Sequence, residues 1–259
     1  MKNFFSILLI LCFSTVFGQQ MHLFRTIYYP AEPYGGEKGL EEFIKQAMVY
    51  PDSALDADIE GDVFITFLID PRGKIKYKKV EDSGHPWLRE EAERIFDLVV
   101  WEADAERDED ELGYEKIKIS FNAKKYMKLA RKRGYHHLPY DSTLSYSDDI
   151  KVYTQSQLDA VPDIANAKSI NDLISKNFRF PSVAKERGIS GRVTVEFVVE
   201  KYGIASNFRI IDPLAGGCNE ETIRLIQLIK WKPAIKDGEA VRSFYTYSLN
   251  FMNPQGQIR

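Results

Sequence analysis

Apolar residues recur at every second position along Val63, Ile65, Phe67 and Ile69, and again along Val193, Val195, Phe197 and Val199. That period belongs to a strand with one face on a core. Upstream of each run the spacing changes to i, i+3, i+4, i+7. Leu40, Phe43, Ile44 and Ala47 fit it in the first case, and Ile170, Leu173, Ile174 and Asn177 in the second. This spacing predicts one helical face. Tyr50-Pro51 and Phe180-Pro181 stop those helices, because a residue before proline is pushed towards extended geometry. A short helical turn follows and closes near Gly61 and Gly191.

Downstream, Asp70-Pro71-Arg72-Gly73 and Glu200-Lys201-Tyr202-Gly203 read as tight hairpin turns. The second strand of each hairpin ends near Val80 and Ile210. A second helix carries Leu88, Ala92, Ile95, Phe96 and Val99, matched by Cys218, Thr222, Leu225, Ile226 and Ile229. The last strands are Ile117–Phe121 and Tyr245–Phe251. Pro51 and Pro181, Gly73 and Gly203, Trp101 and Trp231, and Phe121 and Phe251 are all separated by the same 130 positions. An ungapped register of that length marks an internal repeat.

Two homologous domains follow, at 33–125 and 160–255, with a basic and polar linker at 126–159. A hairpin, a helix and a returning strand make a three-stranded antiparallel sheet of order 2-1-3 with a right-handed crossover. Both helices cover one face. The fold class is α+β, as two tandem two-layer domains.

The segment 1–18 changes the picture of location. Lys2 precedes an almost unbroken apolar run from Phe4 to Phe17, with Val16 and Gly18 suited to cleavage before Gln19. It is short for a spanning helix of roughly 20 residues. The expectation is a cleaved signal peptide and export, without membrane insertion of the mature chain. A retained segment would instead be an anchor. Removing Cys12 with the leader leaves Cys218 unpaired, so stability must come from apolar cores, which a 44% hydrophobic composition supplies. The net charge of −3 gives no general attraction to nucleic acid. Lys124 to Arg133 form a basic run, read as a solvated helical extension or linker, with contact to anionic lipid or lipopolysaccharide as the sharper alternative.

Chemical candidates are few. Cys218 follows Gly216-Gly217 at a helix start, where a thiol pKa can fall, but its counterpart Leu88 marks an apolar slot. His85 has no ligand spacing around it, and His136-His137 cannot converge on one point from a helix. Glu90-Glu91 and Glu220-Glu221 read as first-turn acids favoured by the macrodipole. No nucleophile, base and orienter assemble, no metal or cofactor is expected, and the chain reads as no enzyme.

"IEGDVFITFLIDPRG" in the first copy, and "FPSVAKERGISGRVTVEFVVEKYG" followed by "IKWKPA" in the second, resemble the C-terminal domain of TonB and its energy-transducer relatives. The resemblance implies a protein-binding module. Its partner is a short extended segment of an envelope protein or TonB-dependent receptor, added beside the last strand of the sheet. By that resemblance Ser243, Phe244, Tyr245, Thr246, Tyr247 and Ser248 form the docking strand of copy two, and Ile117, Lys118 and Ile119 that of copy one. It also implies the periplasm or envelope of a Gram-negative bacterium. The chain departs from energy transducers in lacking a proline-rich spacer, and it carries Trp101-Glu102-Ala103, then an acidic run, where copy two has Trp231-Lys232-Pro233. A second reading has the same edges pair with each other, within or between chains, in an envelope scaffold.

Overall fold

The computed structural model describes residues 30–81, 84–104 and 112–252. The apolar leader with Cys12, Asp82, and the acidic run beyond Asp104 lie outside the described residues. The first unit comprises α1 (Gly36–Ala47), α2 (Asp52–Asp56), β1 (Gly61–Ile69), β2 (Ile75–Val80), α3 (Pro86–Asp97), β3 (Glu115–Phe121) and α4 (Ala123–Arg133). Short strands β4 (Ser145–Tyr146), β5 (Val152–Tyr153) and β6 (Asp163–Ile164) lead into the second. It contains α5 (Ile170–Asn177), α6 (Ser182–Glu186), β7 (Gly191–Val199), β8 (Ala205–Asp212), α7 (Cys218–Gln227), β9 (Trp231–Lys232), β10 (Ala234–Lys236) and β11 (Glu239–Phe251).

The first sheet has the order β2-β1-β3, all antiparallel. The second repeats it as β8-β7-β11 and extends β11 beyond the repeat into a hairpin with β10. Inward positions Val63, Ile65, Phe67 and Ile69 are buried, as are Val193, Val195, Phe197 and Val199. Leu88, Ala92, Ile95 and Phe96 of α3 close the first core, and Cys218, Thr222, Leu225 and Ile226 of α7 the second. Each unit is therefore two layers deep. Gly73 and Gly203 share φ +76°, and a side chain at Gly203 would overlap the Trp231 carbonyl oxygen. Only glycine meets both demands.

Each unit also carries the same buried ionic tie. Glu91 accepts from the Val49 N–H at 2.6 Å and from Arg94 Nε at 2.7 Å, while Arg94 Nη2 donates to the Ala47 carbonyl at 2.6 Å. In the second unit Glu221 accepts from the Arg179 N–H and from Arg224 Nε, each at 2.7 Å, and Arg224 Nη2 donates to the Asn177 carbonyl at 2.7 Å. The arginine satisfies a carbonyl that a helix end leaves without an intrahelical donor, and the nearly buried carboxylate is fully partnered. Glu91 lies past the first turn of α3, so the macrodipole is not its role. Glu221 is in the first turn of α7 and has the tie as well.

The segment 126–159, read from sequence as a linker, is packed at both ends. Tyr126 and Ala130 of α4 belong to the first core. Arg133 donates to the Gln46 and Met48 carbonyls at 2.9 and 2.8 Å and lies 4.3 Å over the Tyr135 ring. Further on, β4 and β5 each pair in parallel with β11. Short polar strands with no apolar period leave no trace in the hydrophobic pattern.

The two units meet where α1 and its N-cap loop pack against β8. Asn207 sits in the left-handed region at φ +47°, which asparagine tolerates better than most residues. Its amide accepts from the Val100 N–H at 2.9 Å and donates to the Leu98 carbonyl at 3.2 Å, both in the first unit. In the second unit the equivalent pair, the Lys230 N–H and the Leu228 carbonyl, is bonded by Asn166 of the same unit, each at 3.0 Å. Arg242, 2% exposed, ties the junction from below. It donates twice to Glu200, at 2.8 and 2.9 Å, and at 2.7 Å to the carbonyls of both Ile150 and Leu98.

Candidate functional site

A terminal strand has one side of its backbone ladder unpaired, which makes it a template for another strand. In the first sheet β3 pairs only with β1, from Gly61↔Phe121 to Phe67↔Glu115. In the second, β11 pairs with β7 from Ser243↔Val199 to Phe251↔Gly191. Its other side is partly occupied. β10 pairs with Glu239, Ala240 and Val241, and β5 pairs with Arg242 and Ser243. Ser243 is thus bonded into ladders with Val199 and Tyr153 and is fully buried. It lies at no free edge, because the segment between the units has already added a strand there. Among the described residues, nothing pairs with the outer side of Phe244–Phe251 or of Glu115–Phe121.

The remaining candidate residues alternate between the two faces. Tyr245 and Tyr247 lean on the second core, Tyr245 with its ring 4.9 Å from Trp231 and 5.6 Å from Phe197. Burial raises both phenol pKa values. Phe244 faces the other way, 6.1 Å from Tyr34 of the first unit. Thr246 and Ser248 are exposed, with Ser248 Oγ 2.9 Å from Thr194 Oγ1. In the first unit Ile119 is buried and Ile117 packs against the core. Lys118 is exposed and pairs with Asp62 at 3.3 Å. Each edge thus offers unpaired peptide groups between an apolar rim and a polar one, which suits an extended peptide selected by alternate side chains.

The other candidates have structural places. Cys218 is free, fully buried and packed in the second core, where burial pushes its thiol pKa up rather than down. His85 caps α3, with Nδ1 accepting from the Trp87 N–H at 3.4 Å. His136 offers its carbonyl to Tyr126 at 2.5 Å, and His137 lies 3.8 Å from Asp52. The paired Glu–Arg ties and the Asn207 clamp were missed by sequence reasoning. The recurrence of Glu91 and Arg94 at Glu221 and Arg224 was the available signal.

A three-stranded antiparallel sheet under two helices, repeated, with a stretch of open ladder on β3 and on Phe244–Phe251 of β11 among the described residues, defines a small two-layer α+β module. The profile of the Gram-negative bacterial TonB protein C-terminal family matches residues 46–123 and 176–252, more than half of the chain. The chain belongs to the TonB C-terminal family, with two copies of its domain; in TonB this domain is a non-catalytic protein-interaction module. Among solved structures, the chain is similar to the solution structure of the Helicobacter pylori TonB C-terminal domain, at 21% identity. That match covers 32% of this chain and 76% of the other, with a TM-score of 0.26. No curated protein matches the sequence. No helix among the described residues is long and apolar enough to cross a membrane.

Proposed function

We propose that this chain is an exported, non-enzymatic binding protein of the bacterial envelope. It takes up an extended segment of an envelope partner, of the kind presented by TonB-dependent receptors, as an added strand. The observation that carries the reading is the vacant ladder on β3 and on Phe244–Phe251 of β11. The docking residues are Ile117, Lys118 and Ile119 in the first unit, and Phe244, Tyr245, Thr246, Tyr247 and Ser248 in the second. About four main-chain bonds at roughly 0.5–1.5 kcal/mol each leave a single edge with weak affinity after ordering costs. Two edges held in one molecule gain by effective concentration when one partner reaches both. Edge pairing within the chain is not how the units meet, since α1 packs on β8 and the two sheets are separate.

The test is photocrosslinking in the native envelope, with the reactive side chain at Thr246, at Lys118, or at Lys76 on the opposite edge strand β2. The expected result is one discrete adduct from Thr246 or Lys118, competed by excess unlabelled protein. Equal adducts from Lys76, or none from the two docking positions, would refute strand addition. An adduct with the mass of a dimer of this chain would move the assignment to the scaffold reading.

A further inference from the structure

The helix α4 packs through Tyr126 and Ala130, and that fixes what its far side presents. At 3.6 residues per turn, Lys124, Lys125, Lys128, Arg131 and Lys132 fall within an arc of about 120° centred opposite the buried stripe. All five are exposed, and none has a salt bridge among the described residues. Nearby carboxylates are committed elsewhere. Glu60 accepts from the Ala123 N–H at 2.8 Å and from Asn122 Nδ2 at 3.0 Å, capping the helix start, and Asp52 faces His137. Arg133 holds the other end of α4 on the carbonyls of Gln46 and Met48, so the face is presented in a fixed orientation.

An uncompensated cationic face on a chain of net charge −3 is a local feature rather than a reflection of composition. It is convex and lysine-rich. It has no aromatic side chain in the arc on which a base could stack. A laterally continuous sheet of phosphate headgroups is the complementary surface for such a face. We propose that α4 is a membrane-surface contact that seats this protein on anionic phospholipid. The contact does not depend on the strand-adding edges.

The test uses the full chain and vesicles of about 30% phosphatidylglycerol in phosphatidylcholine, against phosphatidylcholine alone. The apolar N-terminal run is common to both arms, so the readout is the ratio of the two partition coefficients. Each cation near an anionic surface changes partitioning roughly fivefold. The variant K124Q/K128Q/R131Q should lower the ratio on the order of 100-fold, by the same principle. Its substituted side chains are exposed, and an unchanged urea midpoint confirms the fold. The variant K74Q/K76Q/K79Q removes the same charge from the β1–β2 hairpin and should leave the ratio within about twofold, since distant charges are screened at 0.15 M salt. Equal losses in the two variants, an unchanged ratio in the α4 variant, or enrichment that persists in 1 M salt would overturn the proposal.

Discussion

Replacing Arg242 by methionine removes one side chain from three parts of the molecule at once. Its guanidinium serves the Glu200 carboxylate of the second unit, the Ile150 carbonyl between the units, and the Leu98 carbonyl of the first. Glu200 is 6% exposed and would be left without its counter-ion, although the Ser206 hydroxyl still donates to it at 2.5 Å. Breaking a buried pair by removing one partner costs about 3–5 kcal/mol. The surviving Ser206 bond places this case near the lower end, at about 3 kcal/mol. With a urea slope of about 2–3 kcal/mol/M, the midpoint falls by about 1–1.5 M. Urea titration followed by tryptophan fluorescence reads both units, since Trp101 and Trp231 are buried one in each. The double variant R242M/E200M removes the stranded charge and should recover most of the loss. A midpoint shift below about 0.3 M, or a double variant no better than the single, would refute the claim that the pair holds this junction.

Asn207→Ala should cost about 1–3 kcal/mol by orphaning the Val100 N–H, while the Leu98 carbonyl keeps its bond from Arg242, and hydrogen exchange should show the Val100 amide losing protection. Gly203→Ala should destabilise by at least about 1–2 kcal/mol from its positive φ alone, before the overlap with the Trp231 carbonyl, and a calorimetric melt measures it. Tyr50, buried and close to Glu60 and Asp58, has its phenol pKa pushed up to about 12. Its folded-state pKa exceeds the unfolded value near 10, so the stability it contributes is present below pH 10 and lost as pH rises from about 10 to 12. Tyr50→Phe should flatten that loss in urea midpoints taken across this window.

Sequence periodicity recovered the repeated core because burial imposes it directly. Val63 to Ile69 and Val193 to Val199 must alternate if one face is to be covered, and Gly73 and Gly203 must be glycine beneath their tryptophans. The junction between the units obeys no such period. Asn207 is one polar residue in a strand, and its counterpart in the first copy, Tyr77, is unrelated in chemistry. Ser243 shows the same limit at the candidate site. Its place in the last strand was legible, but its occupation by Val152 and Tyr153 was not, because a two-residue parallel pairing is set by tertiary context. The Glu–Arg ties lay in plain view as a repeat, yet a first-turn acid and a buried acid look alike until packing is known.

A duplicated domain inherits two surfaces that fit one another, and nothing in duplication itself stops a third or a fourth unit from joining head to tail into an open filament. Here two asparagines make the two units unequal at that surface. Asn207 supplies a receiving grip that Tyr77 does not reproduce in the first unit, while Asn166 fills in the second unit the backbone pair by which another would be gripped. The backbone pair by which the first unit is held is, in the second, already taken up by that unit's own side chain.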